Sequence, residues 1–247
     1  MRPPGSSPGP IPGLRLLALL AVLLVHGCTA APVPAPRPDA GSATPPWRLP
    51  PDAYPGQRLF RMAVESAEDQ GTLRAVLRIE RPERWRLTLS DRLGRTLYTL
   101  DAAPGEGWLL DHRERRACPV GEGGRLRGVP LEPLAPEALV AVLLGRVPAA
   151  PAGPVDASRA GELSYRDGRG RRWSVRLEEG SGGRRVASWT LRRGGRPVLW
   201  WRRAGDDALL SDRERSVQLR WREIAREPLA GELPEPAVPA GFAVGGC

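Results

Sequence analysis

The sequence predicts a mainly β domain in which short antiparallel strands pack around a single apolar helix. Three observations lead there. Apolar residues recur at every second position in short segments after Tyr54, Gly- and Asp-rich turn signals separate those segments, and one stretch, Leu134 to Arg146, is instead apolar at every helical phase.

The N-terminal region is a separate element. Arg2 and Arg15 precede the apolar run Leu16 to Val25, which is too short to span a bilayer as a retained helix and ends in His26-Gly27-Cys28. A basic leader, a short apolar run and a small residue before cysteine make a bacterial lipoprotein signal over residues 1 to 27. Cys28 is then the acylated first residue, carrying a fatty-acyl chain such as palmitate. The competing reading is an ordinary secretory signal that contains a cysteine. Residues 28 to 52 are dominated by Ala and Pro, as in Ala31-Pro-Val-Pro-Ala-Pro36, and have no apolar period. They predict an extended tether of roughly 3 Å per residue.

The domain proper is expected over residues 53 to 227. Phe60, Met62 and Val64 alternate with charged or small neighbours, and Glu68-Asp69-Gln70-Gly71 turns the chain into Leu73, Ala75, Leu77 and Ile79. Trp85, Leu87 and Leu89 share one face while Arg84, Arg86 and Thr88 share the other. Further strands read at Arg95 to Asp101, Gly107 to His112 and Arg115 to Val120. A second series reads at Glu162 to Arg166, Arg171 to Glu178, Arg184 to Arg193, Arg196 to Arg203 and Val217 to Ile224. Asp167-Gly168-Arg169-Gly170 and Gly194-Gly195 are hairpin turns, so this series is an antiparallel meander. Between the two lies the helix, with Pro136 in its first turn, Gly145 as its C-cap and Pro148 blocking continuation. A helix with no polar face must be covered over most of its circumference. Residues 228 to 247 form a C-terminal tail.

Composition excludes several functions. The net charge is +9 with no lysine and no asparagine among 247 residues, a pattern of GC-rich coding rather than of nucleic-acid binding. A Walker loop is impossible without lysine, and no Cys/His spacing suits a metal. His112, flanked by Arg113 and Glu114, reads as a strand end and not as a general base, so no catalytic residue, metal or cofactor is expected. Cys118 and Cys247 remain once Cys28 is acylated. They form either a disulfide or a buried free thiol and an exposed terminal one, and spacing alone does not decide. Seven of the eight tryptophans fall in strand segments. Large rings in such number fill a core or line an apolar cavity.

Arg84-Trp-Arg-Leu-Thr-Leu-Ser-Asp-Arg-Leu-Gly-Arg-Thr-Leu97 resembles the LolB family of outer-membrane lipoproteins. The likeness continues through Ala103 to His112, Gly128 to Leu131, Leu139 to Pro148, Glu162 to Tyr165, Arg172 to Val175 and Ser216 to Trp221. The resemblance implies an incomplete antiparallel β-barrel of about eleven strands, LolA/LolB-like, with few helices covering the open side. It also implies a non-enzymatic, monomeric protein at the periplasmic face of the outer membrane, anchored at Cys28. Such a protein receives acylated lipoproteins from a LolA-like periplasmic carrier and helps insert them into the membrane. Thr29 in place of an acidic residue lacks the inner-membrane retention signal of enteric bacteria. On this likeness the acyl-chain cavity is lined by Trp85, Leu87, Leu139, Val142, Leu143, Trp173 and Val175. Leu93, at the tip of Asp91-Arg92-Leu93-Gly94, corresponds to a protruding apolar loop that faces the membrane. Two features depart from the family pattern. Pro45-Pro46 and Pro50-Pro51 leave little room for the family's first amphipathic helix, and the tail from Pro228 onward is the candidate replacement for that lid. A structural envelope lipoprotein that uses the barrel as a protein-interaction scaffold is the alternative, as is a binder of another lipid.

Overall fold

A computed structural model describes residues 44–49, 54–66, 70–120, 136–180, 183–214 and 216–245. The signal segment, Cys28, the tether up to residue 43 and Cys247 lie outside the described residues. Ala40–Cys247 form one compact unit that contains the whole described core, as a domain able to fold alone requires.

The elements in chain order are β1 (Gly56–Glu65), β2 (Gln70–Arg81), β3 (Arg84–Ser90), β4 (Thr96–Ala103), β5 (Glu106–Asp111), β6 (Arg116–Pro119), helix α1 (Pro136–Leu143), β7 (Asp156–Arg159), β8 (Glu162–Arg166), β9 (Arg172–Gly180), β10 (Gly183–Arg193), β11 (Arg196–Ala204), β12 (Asp207–Asp212), β13 (Val217–Glu227) and β14 (Ala243–Val244). All fourteen strands belong to one sheet, ordered β14-β6-β5-β4-β3-β2-β1-β13-β12-β11-β10-β9-β8-β7. Two meanders, β1 to β6 and β7 to β13, are joined by antiparallel pairing of β1 with β13, where Met62 stands opposite Trp221. The edges β14 and β7 do not pair with each other, so the sheet is unclosed.

The mainly β, incompletely closed antiparallel sheet is the class expected from the sequence, but with fourteen strands where about eleven were expected. The additions have simple causes. β12 reads Asp-Ala-Leu-Leu-Ser-Asp, a continuous apolar run too short to show a period, β7 has no large apolar residue, and β14 is only two residues long.

One face of the sheet carries the core. Val175, Trp189, Trp201, Leu210, Leu219 and Val64 stand opposite one another across β9, β10, β11, β12, β13 and β1. Phe60, Ala75, Leu77, Ile79, Trp85 and Leu87 continue the same face through β1, β2 and β3, all buried. Each such large side chain contributes about 1.5–3 kcal/mol on burial. Helix α1 joins this cluster through Ala138, Leu139, Val140 and Val142, as an all-apolar helix must. Its C-terminus is closed by the Gly145 N–H donating to the Val142 carbonyl at 3.0 Å and the Arg146 N–H to the Ala141 carbonyl at 2.7 Å. Gly145 has φ +69°, and a Cβ there would lie 2.9 Å from Arg203 Nη2 and 3.5 Å from the Trp201 ring. Both conformation and space therefore call for glycine.

The C-terminal tail lies on the other face. Arg84, Arg86 and Asp101 are out of phase with Trp85, Leu87 and Leu100, and they meet the tail at Pro234, whose carbonyl accepts from the guanidinium of Arg84. Leu233 is buried there and its N–H reaches Glu80 Oε2 at 3.4 Å. The tail ends as β14, parallel to β6, with the Ala243 N–H donating to the Arg115 carbonyl at 2.8 Å. This corrects the expectation that the tail replaces a lid, because it straps the face opposite α1. The segment 44–49 contains a turn and no helix, and Trp47 packs edge-on against Tyr165 at 5.6 Å.

His112 holds the tail near its end. Its ring lies 5.4 Å from Phe242, edge-on, and its Nε2 is 3.0 Å from Thr99 Oγ1. Burial lowers the His112 pKa, with Asp111 opposing. The folded protein thus favours the neutral ring, so this contribution is complete above the unfolded value near 6.5 and is lost as pH falls from there through the lowered folded value. The protection of the Ala243 amide, its exchange relative to the intrinsic rate at each pH, is expected to fall at acidic pH, and His112→Ala to remove that dependence. Equal pH profiles in both proteins would contradict the assignment.

Candidate functional site

The structure gathers the seven candidate cavity residues on one side of the sheet. Trp85 and Leu87 project from β3, Trp173 and Val175 from β9, and Leu139 and Val142 from α1, all within one buried cluster against which the half-buried Leu143 packs. The period-two phase of each strand and the apolar circumference of α1 bring them together. Trp173 meets Trp189 edge-on at 5.4 Å, and Trp189 stacks on Trp201 at 6.5 Å with an 11° interplanar angle. The indole Nε1 groups of Trp189 and Trp201 are buried with no hydrogen-bond partner. Arg203 lies 5.8 Å from the centre of the Trp201 ring, and burial lowers its pKa. Trp189, Trp201 and Arg203 were not singled out from sequence as site residues, although the Trp200-Trp201-Arg202-Arg203 run was visible there.

Six of the seven candidates are at most 3% exposed. A cavity of about 520 Å³ is lined by Ser164, Tyr165, Arg166, Asp167, Gly170 and Arg172, and another of about 260 Å³ by Ala138, Pro148, Asp167, Arg169 and Arg171 among others. None of the seven candidate residues lines either one.

Leu93 is placed differently from the rest. It is 80% exposed at the tip of the β3–β4 hairpin, the most exposed of the large apolar side chains described. The tip is braced rather than loose. Asp91 Oδ1 accepts from the Leu93 N–H at 2.8 Å and the Arg95 N–H at 3.0 Å, and Oδ2 accepts from Arg95 Nε at 2.7 Å. The Arg95 guanidinium, aided by these two backbone donors, holds the Asp91 carboxyl below its ordinary pKa. Gly94 supplies φ +79° and donates its N–H to the Asp91 carbonyl at 3.1 Å. Arg92 reaches across to Thr72 Oγ1 at 3.0 Å.

No family model matches the chain, and no curated protein matches it. Among solved structures it is similar to a LolA superfamily protein from Nitrosomonas europaea, with TM-score 0.46 and 10% identity over 73% of this chain and 87% of that one. It is similar to a putative outer membrane lipoprotein-sorting protein domain from Vibrio parahaemolyticus, with TM-score 0.47 and 12% identity over 73% and 87%. A DUF1329 family protein from Desulfovibrio piger gives TM-score 0.47 and 7% identity over 72% and 87%.

The Leu93 turn occurs twice. Asp167-Gly168-Arg169-Gly170-Arg171 repeats its pattern, with Asp167 Oδ1 accepting from the Arg169 and Arg171 N–H groups at 2.9 Å and Oδ2 from Arg171 Nε at 2.7 Å. Burial opposes the charge of Asp167, but donors from Trp173 and Arg171 outweigh it and lower the pKa. The shared string Asp-x-x-Gly-Arg was the sequence signal for this second turn. Cys118 is disulfide-bonded and buried, while its candidate partner Cys247 lies outside the described residues. Among the described residues no group of three or more His, Cys, Asp or Glu is arranged to hold a metal.

Proposed function

We propose that this protein is a monomeric outer-membrane lipoprotein, anchored through Cys28, that receives acylated lipoproteins from a LolA-like periplasmic carrier and helps insert them into the membrane. The acyl chains enter among Trp85, Leu87, α1, Trp173 and Val175, which separate to admit them. Each CH₂ moved into this cluster gains about 0.8 kcal/mol over water, so a small difference in apolar surface between carrier and receiver sets the direction of transfer. The buried N–H groups of Trp189 and Trp201 are donors that an ester carbonyl of the cargo would satisfy. The observation that carries the reading is Leu93, a leucine 80% exposed at the tip of a hydrogen-bonded turn, more exposed than Val244 at 63% or Ile224 at 50%.

The test is capture of acylated proteins. The unit from residue 40 onward is expected to retain triacylated lipoproteins and to release them to liposomes, and Cys28→Ser in the full chain is expected to leave the protein unacylated. Capture that does not depend on acylation would overturn the reading. The closed packing of the seven candidate residues favours a second reading, in which the half-barrel is a rigid scaffold that binds a protein partner through its surface.

A further inference from the structure

We infer that the Leu93 end of the sheet is a basic rim that seats on an anionic bilayer surface. The argument begins with topology. Every neighbouring pair from β7 to β13 and from β1 to β6 is antiparallel, and β1 is antiparallel to β13, so alternate turns lie at the same end. The β1–β2, β3–β4, β5–β6, β8–β9, β10–β11 and β12–β13 turns share the end that carries Leu93. Over residues 65–70, 91–95, 111–116, 166–172, 192–196 and 212–214 these turns hold thirteen arginines and nine acidic residues in the sequence. The opposite end, over residues 80–84, 103–106, 159–162, 178–185 and 203–207, holds six arginines and eight acidic residues.

The asymmetry is sharper once pairing is counted. Among the described residues, ion pairs take four of the six arginines at the far end, Arg84, Arg159, Arg184 and Arg185, but four of the thirteen at the Leu93 end, Arg95, Arg116, Arg171 and Arg193. At the Leu93 end four acids are used to build turns, since Asp91, Asp111, Asp167 and Asp212 each accept a backbone N–H two residues on. Arg113, Arg169, Arg196 and Arg213 are exposed, and among the described residues no hydrogen bond or ion pair reaches their guanidinium groups. Codon bias explains many arginines, including exposed ones along the strands such as Arg61, Arg74 and Arg220, but not why the turns at one end hold so many more unpaired ones than the turns at the other. The two Asp-x-x-Gly-Arg turns also present different tips on the same frame, an apolar Leu93 and a cationic Arg169. An apolar tip among free guanidinium groups matches phospholipid, where phosphates lie just above hydrocarbon. An acidic protein partner would match the arginines and leave Leu93 unexplained. The inference deepens the reading of Leu93 as membrane-facing and rests on it for the direction of the rim.

The experiment uses residues 28–247 with Cys28→Ser, so that no anchor contributes, and vesicles of phosphatidylcholine alone or with phosphatidylglycerol. The protein is expected to cosediment with the anionic vesicles and to be released by salt. Joint substitution of Arg113, Arg169, Arg196 and Arg213 by Gln weakens this binding by at least about a hundredfold, at about fivefold per arginine, with the thermal midpoint preserved. Arg159→Gln with Arg184→Gln at the far end leaves it unchanged. Equal binding to both vesicle types, or undiminished binding by the fourfold variant, would overturn the inference. Tighter binding to heparin than to anionic vesicles would also overturn it, in favour of an acidic macromolecule. If Leu93→Glu binds normally while the fourfold variant does not, the rim stands and the Leu93 reading fails. The reverse pattern removes the rim and leaves Leu93.

Discussion

Asp101→Ala is expected to destabilise the folded protein by about 3–5 kcal/mol, the cost of leaving a buried ion pair half made. Asp101 and Arg84 are 4% and 3% exposed, with Arg84 Nη1 2.8 Å from Asp101 Oδ1. The other carboxylate oxygen accepts from Arg86 Nε at 2.9 Å and also from Arg86 Nη2. Arg84 further donates to the carbonyls of Ala102, at 2.9 Å, and Pro234. One carboxylate therefore pairs with two guanidinium groups that fasten the tail to β3. Removing it strands both, and the buried Arg84 has no route to water. Urea denaturation should show the loss directly, and the thermal midpoint should fall by roughly 6–20 °C for a domain of this size. Replacing Asp101 and Arg84 together by apolar residues should cost less, since the one guanidinium left without a carboxylate is then Arg86, which is 21% exposed. A loss below about 1 kcal/mol for Asp101→Ala would mean that the tail leaves the sheet readily and lets water reach Arg84.

Leu93→Glu is expected to leave the fold intact and to slow delivery of acylated cargo to liposomes by about tenfold or more. None of the hydrogen bonds described in the turn uses the side chain of Leu93, so the substitution removes none of them. Its effect on stability should stay within about 0.5 kcal/mol, as for other exposed positions. A leucine side chain buried in the acyl boundary is worth about 1.5–3 kcal/mol, and a glutamate also repels anionic headgroups. Leu93→Phe should retain delivery. A large drop in thermal midpoint, or delivery at the wild-type rate, would contradict the proposed role.

Much of the fold is legible in the residues themselves. Alternation at Phe60, Met62 and Val64, or at Trp85, Leu87 and Leu89, identifies strands with one buried face because a sheet packed on one side needs that period. Leu134 to Arg146 was equally plain, and the helix described, Pro136–Leu143, lies within it. What failed to show was structure defined by pairing alone. β14 is two residues long and exists through its register with Arg116 and Ala117, and β7 carries no apolar phase. The tail was misplaced for a related reason. Its few apolar residues, Leu233 and Phe242 among them, say that it docks but not on which face, which depends on Asp101 and His112 more than a hundred residues away. The candidate cavity residues were identifiable as a group because they share strand phase and helix. Whether they part for a ligand is a property of packing, which a residue pattern does not encode.

That last point is the centre of the account and can be measured directly. A fluorescent fatty-acyl probe is titrated into the unit from residue 40 onward and into its Leu143→Glu variant, with tryptophan emission as the readout. Leu143 is half-buried beside Trp221, whose Nε1 donates to the Leu143 carbonyl at 3.3 Å, so a glutamate there reaches solvent without unfolding the helix while placing charge at the margin of the cluster. The account predicts saturable binding with quenching of the buried tryptophans in the wild type. It also predicts binding weakened by about tenfold or more in Leu143→Glu at an unchanged thermal midpoint, about 1.4 kcal/mol or more. A folded wild-type protein that neither binds the probe nor changes its tryptophan emission would contradict the account and leave the half-barrel as a packed scaffold.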